Sequence, residues 1–116
     1  MIGREHLMLE DINRVAGVRS AILVSIEDGL VVAEAALEGQ ATEAAAAFAA
    51  RLAQRLGVLT RTLHTPPMSV LLLQATAGQL FVVAGGDGLL LVAVTGNDVN
   101  IGEVRLALLD AAGKLS

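Results

Sequence analysis

Residues 42–63 read TEAAAAFAARLAQRLGVLTRTL and form a helix of about 20 residues, because Ala, Leu, Arg and Gln are strong helix formers. At about 100° per residue, Phe48, Leu52, Leu56, Leu59 and Leu63 fall on one bulky stripe. Ala46, Ala50, Ala53 and Gly57 form a stripe of small residues roughly a third of a turn away. Glu43, Arg51, Gln54, Arg55 and Arg61 take the remaining arc. The bulky stripe is expected to pack on a core. The small stripe is expected to let a second backbone approach closely, an effect best documented between membrane helices but steric in origin. An alanine-rich composition would produce the same small stripe with no second helix implied.

A chain of 116 residues is expected to be one domain, residues 1–116, burying about two-thirds of its unfolded surface. Its apolar fraction of 54%, before 12 glycines are added, exceeds what so small a domain can hide. Self-association is therefore expected. The net charge of −4 and the two phenylalanines, with no other aromatic residue, argue against nucleic-acid binding, which wants a basic surface and stacking rings. The absence of cysteine excludes disulfides and thiolate chemistry. The N-terminal MIGREHLMLEDINR lacks the apolar core of a signal peptide. The most apolar region, 70–94, is broken by Gln74, Gly78, Gln79 and the 85–88 turn, so no membrane span is expected and a cytoplasmic protein is the default.

Residues 4–15 read as a first helix, with Met8, Ile12 and Val15 on one face and Gly17 at its C-terminal cap. A strand over 18–26, a tight turn at Glu27-Asp28-Gly29 and a return strand over 30–36 make a hairpin. A connector over 37–41 leads to Thr42, a candidate N-cap, with Glu38 and Glu43 suiting the positive helix end. Thr65-Pro66-Pro67 ends the long helix in extended chain. Strands over 68–75, 79–84 and 89–95 follow, joined by turns at 76–78 and 85–88, as an antiparallel meander. The first of these does not alternate cleanly, so both its faces are expected to be covered. Asn97, Asp98 or Asn100 caps a last helix carrying Ile101, Val104, Leu108 and Ala111, with Gly113 the expected stop and Leu115 beyond it. The order is α-β-β-α-β-β-β-α, an α+β fold with a five-stranded antiparallel sheet flanked by helices on both faces.

Residues for catalysis are scarce. A phosphate-binding P-loop, HExxH and GxSxG are all absent. The glycine turn at 85–88 leads into a strand rather than a helix, so no helix N-terminus meets a phosphate there. His6 and His64 read as surface histidines at helix ends, with no metal site expected. Glu27 and Asp28 read as a solvated hairpin tip rather than an acid–base pair. No cofactor is expected, and the chain is expected not to be an enzyme. The distinctive polar surface is Arg51, Gln54, Arg55 and Arg61, which could read an acidic partner or be an ordinary solvated helix face.

Residues 9–12, Gly17-Val18, the strand at 21–26 and Asp28-Gly29-Leu30-Val31-Val32-Ala33 resemble the opening of the Roadblock domain family. Ile101-Gly102-Glu103-Val104-Arg105 resembles the start of its last helix. One departure is Ala21, where many members place Gly around Ser20–Ala21. The resemblance covers nearly the whole chain and implies the profilin-like or longin-like Roadblock fold. It implies a homodimer or heterodimer with the long helices side by side and the third strand pairing with its mate. Ala46, Ala50, Ala53, Gly57, Val70 and Leu72 would then form the dimer interface. It further implies a bacterial-type, non-catalytic regulator or activator of a small Ras-like GTPase, bound through Arg51, Gln54, Arg55 and Arg61. The alternative is a structural adaptor in a larger complex that leaves nucleotide turnover unchanged.

Overall fold

The computed structural model describes residues 4–37, 41–63, 70–86 and 88–115. The elements run α1 (Arg4–Asn13), β1 (Val18–Ser25), β2 (Val31–Ala36), α2 (Thr42–Thr62), β3 (Val70–Ala75), β4 (Gly78–Ala84), β5 (Leu89–Thr95) and α3 (Ile101–Leu115). This is the expected order. Every strand pairing is antiparallel, and the sheet order is β2-β1-β5-β4-β3. The hairpin and the meander are therefore joined through β1 and β5, which leaves β2 and β3 as the two free edges.

Alternation along the strands sends side chains to two cores. On one face Ala21, Leu23, Phe81, Val83, Leu91 and Ala93 meet Leu9 and Ile12 of α1 and Val104, Leu108 and Ala111 of α3. On the other face Ile22, Val24, Val82, Leu90 and Val92 meet α2. Central β5 is nearly all buried, as covered faces require. β3 is not: as an edge strand it is half-buried at Val70, Leu71 and Leu72 and exposed from Leu73 onward. Its apolar run thus marks an open edge rather than two covered faces.

The connections follow local chemistry. Gly17 adopts φ +93°, the left-handed conformation expected after α1, although the helix ends at Asn13 rather than at residue 15. Gly29 has φ +73°, and the Asp28 carboxylate accepts the Leu30 N–H at 3.1 Å, closing the β1–β2 turn. Gly78 begins β4, and a Cβ there would collide with the Thr95 carbonyl oxygen. The N-cap of α2 is Ala41, with no side-chain capping bond; Thr42 is instead the first helical residue. Asn100 caps α3 by accepting the Glu103 N–H at 3.1 Å, and α3 continues through Gly113 to Leu115. Glu38, His64, Thr65-Pro66-Pro67 and Asp87 lie outside the described residues.

The faces of α2 are reversed from expectation. Ala46, Ala49 and Ala50 are buried, with Thr42 at the start of the helix, and Ala53 packs against the same cluster as the alanines. The bulky stripe turns outward: Phe48, Leu59 and Leu63 are 51%, 49% and 59% exposed. The cause is steric. β1, β4 and β5 already present branched and bulky residues to this face, so a helix with only methyl groups beneath it can sit close to the sheet.

Candidate functional site: the outer face of the long helix

Two stripes of α2 bear on recognition. The first is apolar: Phe48, Leu59 and Leu63 are exposed, Leu52 and Leu56 half-buried, and Val58 is exposed beside them. From residue 54 to 63 no described side chain is buried, so the C-terminal half of the helix stands off its own core. Bulky apolar residues in a row on an otherwise polar helix face mark a contact surface. The second stripe is basic. The helix carries three arginines and one glutamate in a chain of net charge −4, so positive charge is concentrated on it. Arg51 and Arg55 are exposed neighbours one turn apart, bordering the apolar stripe.

The expected site residues separate into groups. Ala46 and Ala50 are 0% and 2% exposed, inside the chain's own core. They cannot meet a second helix while α2 lies on the sheet, which corrects their assignment to a dimer interface. Ala53 and Gly57 are half-buried, and among the described residues a Cβ added at Gly57 would meet the chain's own Arg61 guanidinium, at 3.5 Å. Val70 and Leu72 lie on the free edge strand β3, with their side chains packed on the α1–α3 side. Of the partner-binding set, Arg51 and Arg55 belong together. Gln54 turns back: its Nε2 donates to the Ile26 carbonyl at 2.6 Å and ties α2 to the β1–β2 hairpin. Arg61 lies roughly 80–120° further round the helix.

Sequence reasoning placed Phe48, Leu59 and Leu63 inside. Their sidedness had one available signal, the apolar fraction of 54%, which leaves bulky residues over for a surface. A small depression of about 200 Å³ beside the helix, lined by Glu27, Asp28, Ala47, Arg51 and Gln54, adds an acidic rim to the Arg51 end. Among the described residues, no group of three or more His, Cys, Asp or Glu side chains could hold a metal ion. No described helix is long and apolar enough to cross a membrane. The chemistry this face presents is binding: apolar area with arginines on one flank.

The profile of the Roadblock/LC7 domain family matches residues 5–95. No curated protein sequence matches the chain significantly. Among solved structures, MglB of Myxococcus xanthus superposes with a TM-score of 0.88 at 18% identity, over 98% of this chain and 93% of that one. The gliding protein MglB of Thermus thermophilus gives 0.84 at 24% identity, over 99% and 90%. A structure described as MglB with tetrameric arrangement gives 0.85 at 24% identity, also over 99% and 90%.

Proposed function

Because the chain belongs to the Roadblock/LC7 domain family, we propose that it is a non-catalytic homodimer that regulates a small Ras-like GTPase through the outer face of α2. The observations that carry this reading are the exposed row of Phe48, Leu59 and Leu63 on α2 and, on the same sheet, the strand edge of β3 that no described strand pairs with. Phe48, Leu59 and Leu63 are about half exposed, so burying what remains of them against a second copy gains about 1 kcal/mol each, before association costs are subtracted. Strand pairing along Val70–Ala75 would add main-chain hydrogen bonds. The helical part of the self-contact thus moves from the alanine stripe to Phe48, Leu52, Leu56, Leu59 and Leu63, while Val70 and Leu72 keep their place at the strand edge. A tetrameric arrangement of MglB supports self-association as a habit of this fold.

Arg51 and Arg55, on the flank of that contact, are the charges left to face an acidic partner. A guanidinium pair suits carboxylates on the partner surface. Stimulation of hydrolysis would work by positioning the GTPase's own residues, since nothing singles out an inserted arginine here. The competing reading is an adaptor that binds without changing turnover.

The test uses two double variants. Phe48→Glu with Leu59→Glu should convert the dimer to a folded monomer in sedimentation velocity. Arg51→Glu with Arg55→Glu should leave the dimer intact and abolish binding to the GTP-loaded GTPase. A wild-type monomer at micromolar concentration defeats the dimer, and undiminished binding by the arginine variant misplaces the partner surface. Binding without a change in hydrolysis rate selects the adaptor.

A further inference from the structure

The sheet has a second free edge, β2, on the side of the molecule away from β3. Register fixes which of its main-chain groups are open. Ser20 pairs with Ala36 and Ile22 with Glu34, and the Leu37 N–H donates to the Arg19 carbonyl. In an antiparallel ladder alternate residues bond to the same neighbour, so Ala33 and Ala35 face β1. Glu34 and Ala36 direct their N–H and C=O groups away from the sheet.

Helix α1 runs beside this edge. His6, Glu10, Asn13 and Arg14, at spacings of four, three and one, share its flank. Together with Glu34 and Ala36 they line an open groove of about 510 Å³. A groove between a helix and an open strand edge is the setting in which extended peptides bind by strand addition.

Most of the charges along the groove are already paired within the chain. His6 Nε2 lies 3.3 Å from Glu10, and Arg14 is drawn to Asp11 at 2.7 Å. Glu34 has no ion pair among the described residues. It sits opposite Ile22, so its carboxylate lies on the α2 side of the edge.

We propose that the β2 edge is a docking site for an extended basic segment of a partner protein, added as a further strand. Consecutive residues of such a strand point to opposite faces. A lysine or arginine on one side meets Glu34, and its neighbour on the other reaches Glu10. A second copy's β2 is disfavoured where it would set Glu34 against Glu34. This surface is separate from α2 and β3, so it can be occupied in the assembled protein.

The probe is a fluorescent peptide of alternating valine and threonine with two adjacent central arginines, titrated into the full chain and followed by amide NMR shifts. Binding should perturb β2 and the His6–Arg14 flank. It should weaken roughly ten-fold or more when the arginines are replaced by glutamates, and by a similar factor in Glu34→Lys. Ala36→Pro, which removes an outward N–H without touching the β1 ladder, should also weaken it. Equal binding of basic and acidic peptides, or shifts confined to α2 and β3, overturns the proposal. So does an increase in self-association of Glu34→Lys with peptide binding unchanged, which would make Glu34 a guard against edge-to-edge pairing.

Discussion

Helices α2 and α3 cover opposite faces of one sheet, and they do so in opposite ways. α3 buries Val104, Leu108 and Ala111 and leaves its polar residues outside, together with exposed Ile101 and Leu106. α2 buries Thr42 and otherwise only alanines, and keeps Phe48, Leu59 and Leu63 outside. A buried leucine contributes about 1.5–3 kcal/mol and a methyl or methylene about 0.8 kcal/mol. The α3 contact therefore rests on the helix's own side chains. The α2 contact rests on what the helix hides, since Ile22, Val24 and Val92 are all 0% exposed beneath it. A helix anchored through small residues can leave its bulky ones outside, so one face of this fold is closed by bulky side chains and the other is closed by small ones.

The largest effect should separate the two helices outright. Leu108→Ala removes a fully buried side chain from the α1–α3 core. It should cost about 3 kcal/mol in urea unfolding, within the usual spread for such cavities. Phe48→Ala, a larger truncation on α2, should change the stability of the dilute monomer by no more than about 0.5 kcal/mol, as surface substitutions do. If the phenylalanine variant is destabilised as much as the leucine variant at every protein concentration, Phe48 is part of the intrachain core and the contrast fails.

A second substitution tests close approach directly. Ala50 is 2% exposed and packs against the sheet cluster. Ala50→Leu keeps a strong helix former at the position but forces extra volume under the helix. Overpacking should destabilise by about 2 kcal/mol. Ala44→Leu, on the exposed side of the same helix, is the control and should be near neutral. A stabilised Ala50→Leu would mean that α2 sits loosely and that the alanines are there by composition alone.

The order of elements was legible because each boundary has its own chemistry: Gly17 after α1, Asp28-Gly29 in the hairpin, Asn100 ahead of α3. The adjacency of β1 and β5 was not, because it joins segments about 70 residues apart through main-chain bonds that any apolar strand can make. The orientation of α2 was misread for a definite reason. Periodicity reveals two apolar stripes but not which one faces inward, and the bulkier stripe is the inner one only when the opposing surface has room for it. Here Ile22, Val24, Val82, Leu90 and Val92 fill that room. Within the candidate site, Arg51 and Arg55 could be read from spacing alone. The spacing of His6, Glu10, Asn13 and Arg14 was likewise present in the sequence. Its meaning depends on lying beside the β2 edge, which only the folded chain supplies.

The smallest expected effect concerns the link between α2 and the sheet beyond the alanines. Gln54 donates to the Ile26 carbonyl at 2.6 Å, holding the helix to the end of β1 just where its buried face runs out. The bond is exposed, so water can replace it when it is lost. Gln54→Ala should therefore cost about 1 kcal/mol or less in unfolding, partly offset by the better helix propensity of alanine. The informative readout is local. Amide exchange should accelerate in α2 beyond residue 54 and around 26–30, while Leu108 and its neighbours in α3 keep their protection. Exchange that rises equally in both helices would show that α2 and α3 open together and that Gln54 is not a separate tether. Exchange confined to α2 would show that the outward-facing half of the long helix is held in place by one side-chain bond, and that a partner docking on Phe48, Leu59 and Leu63 has a segment of low local stability to order.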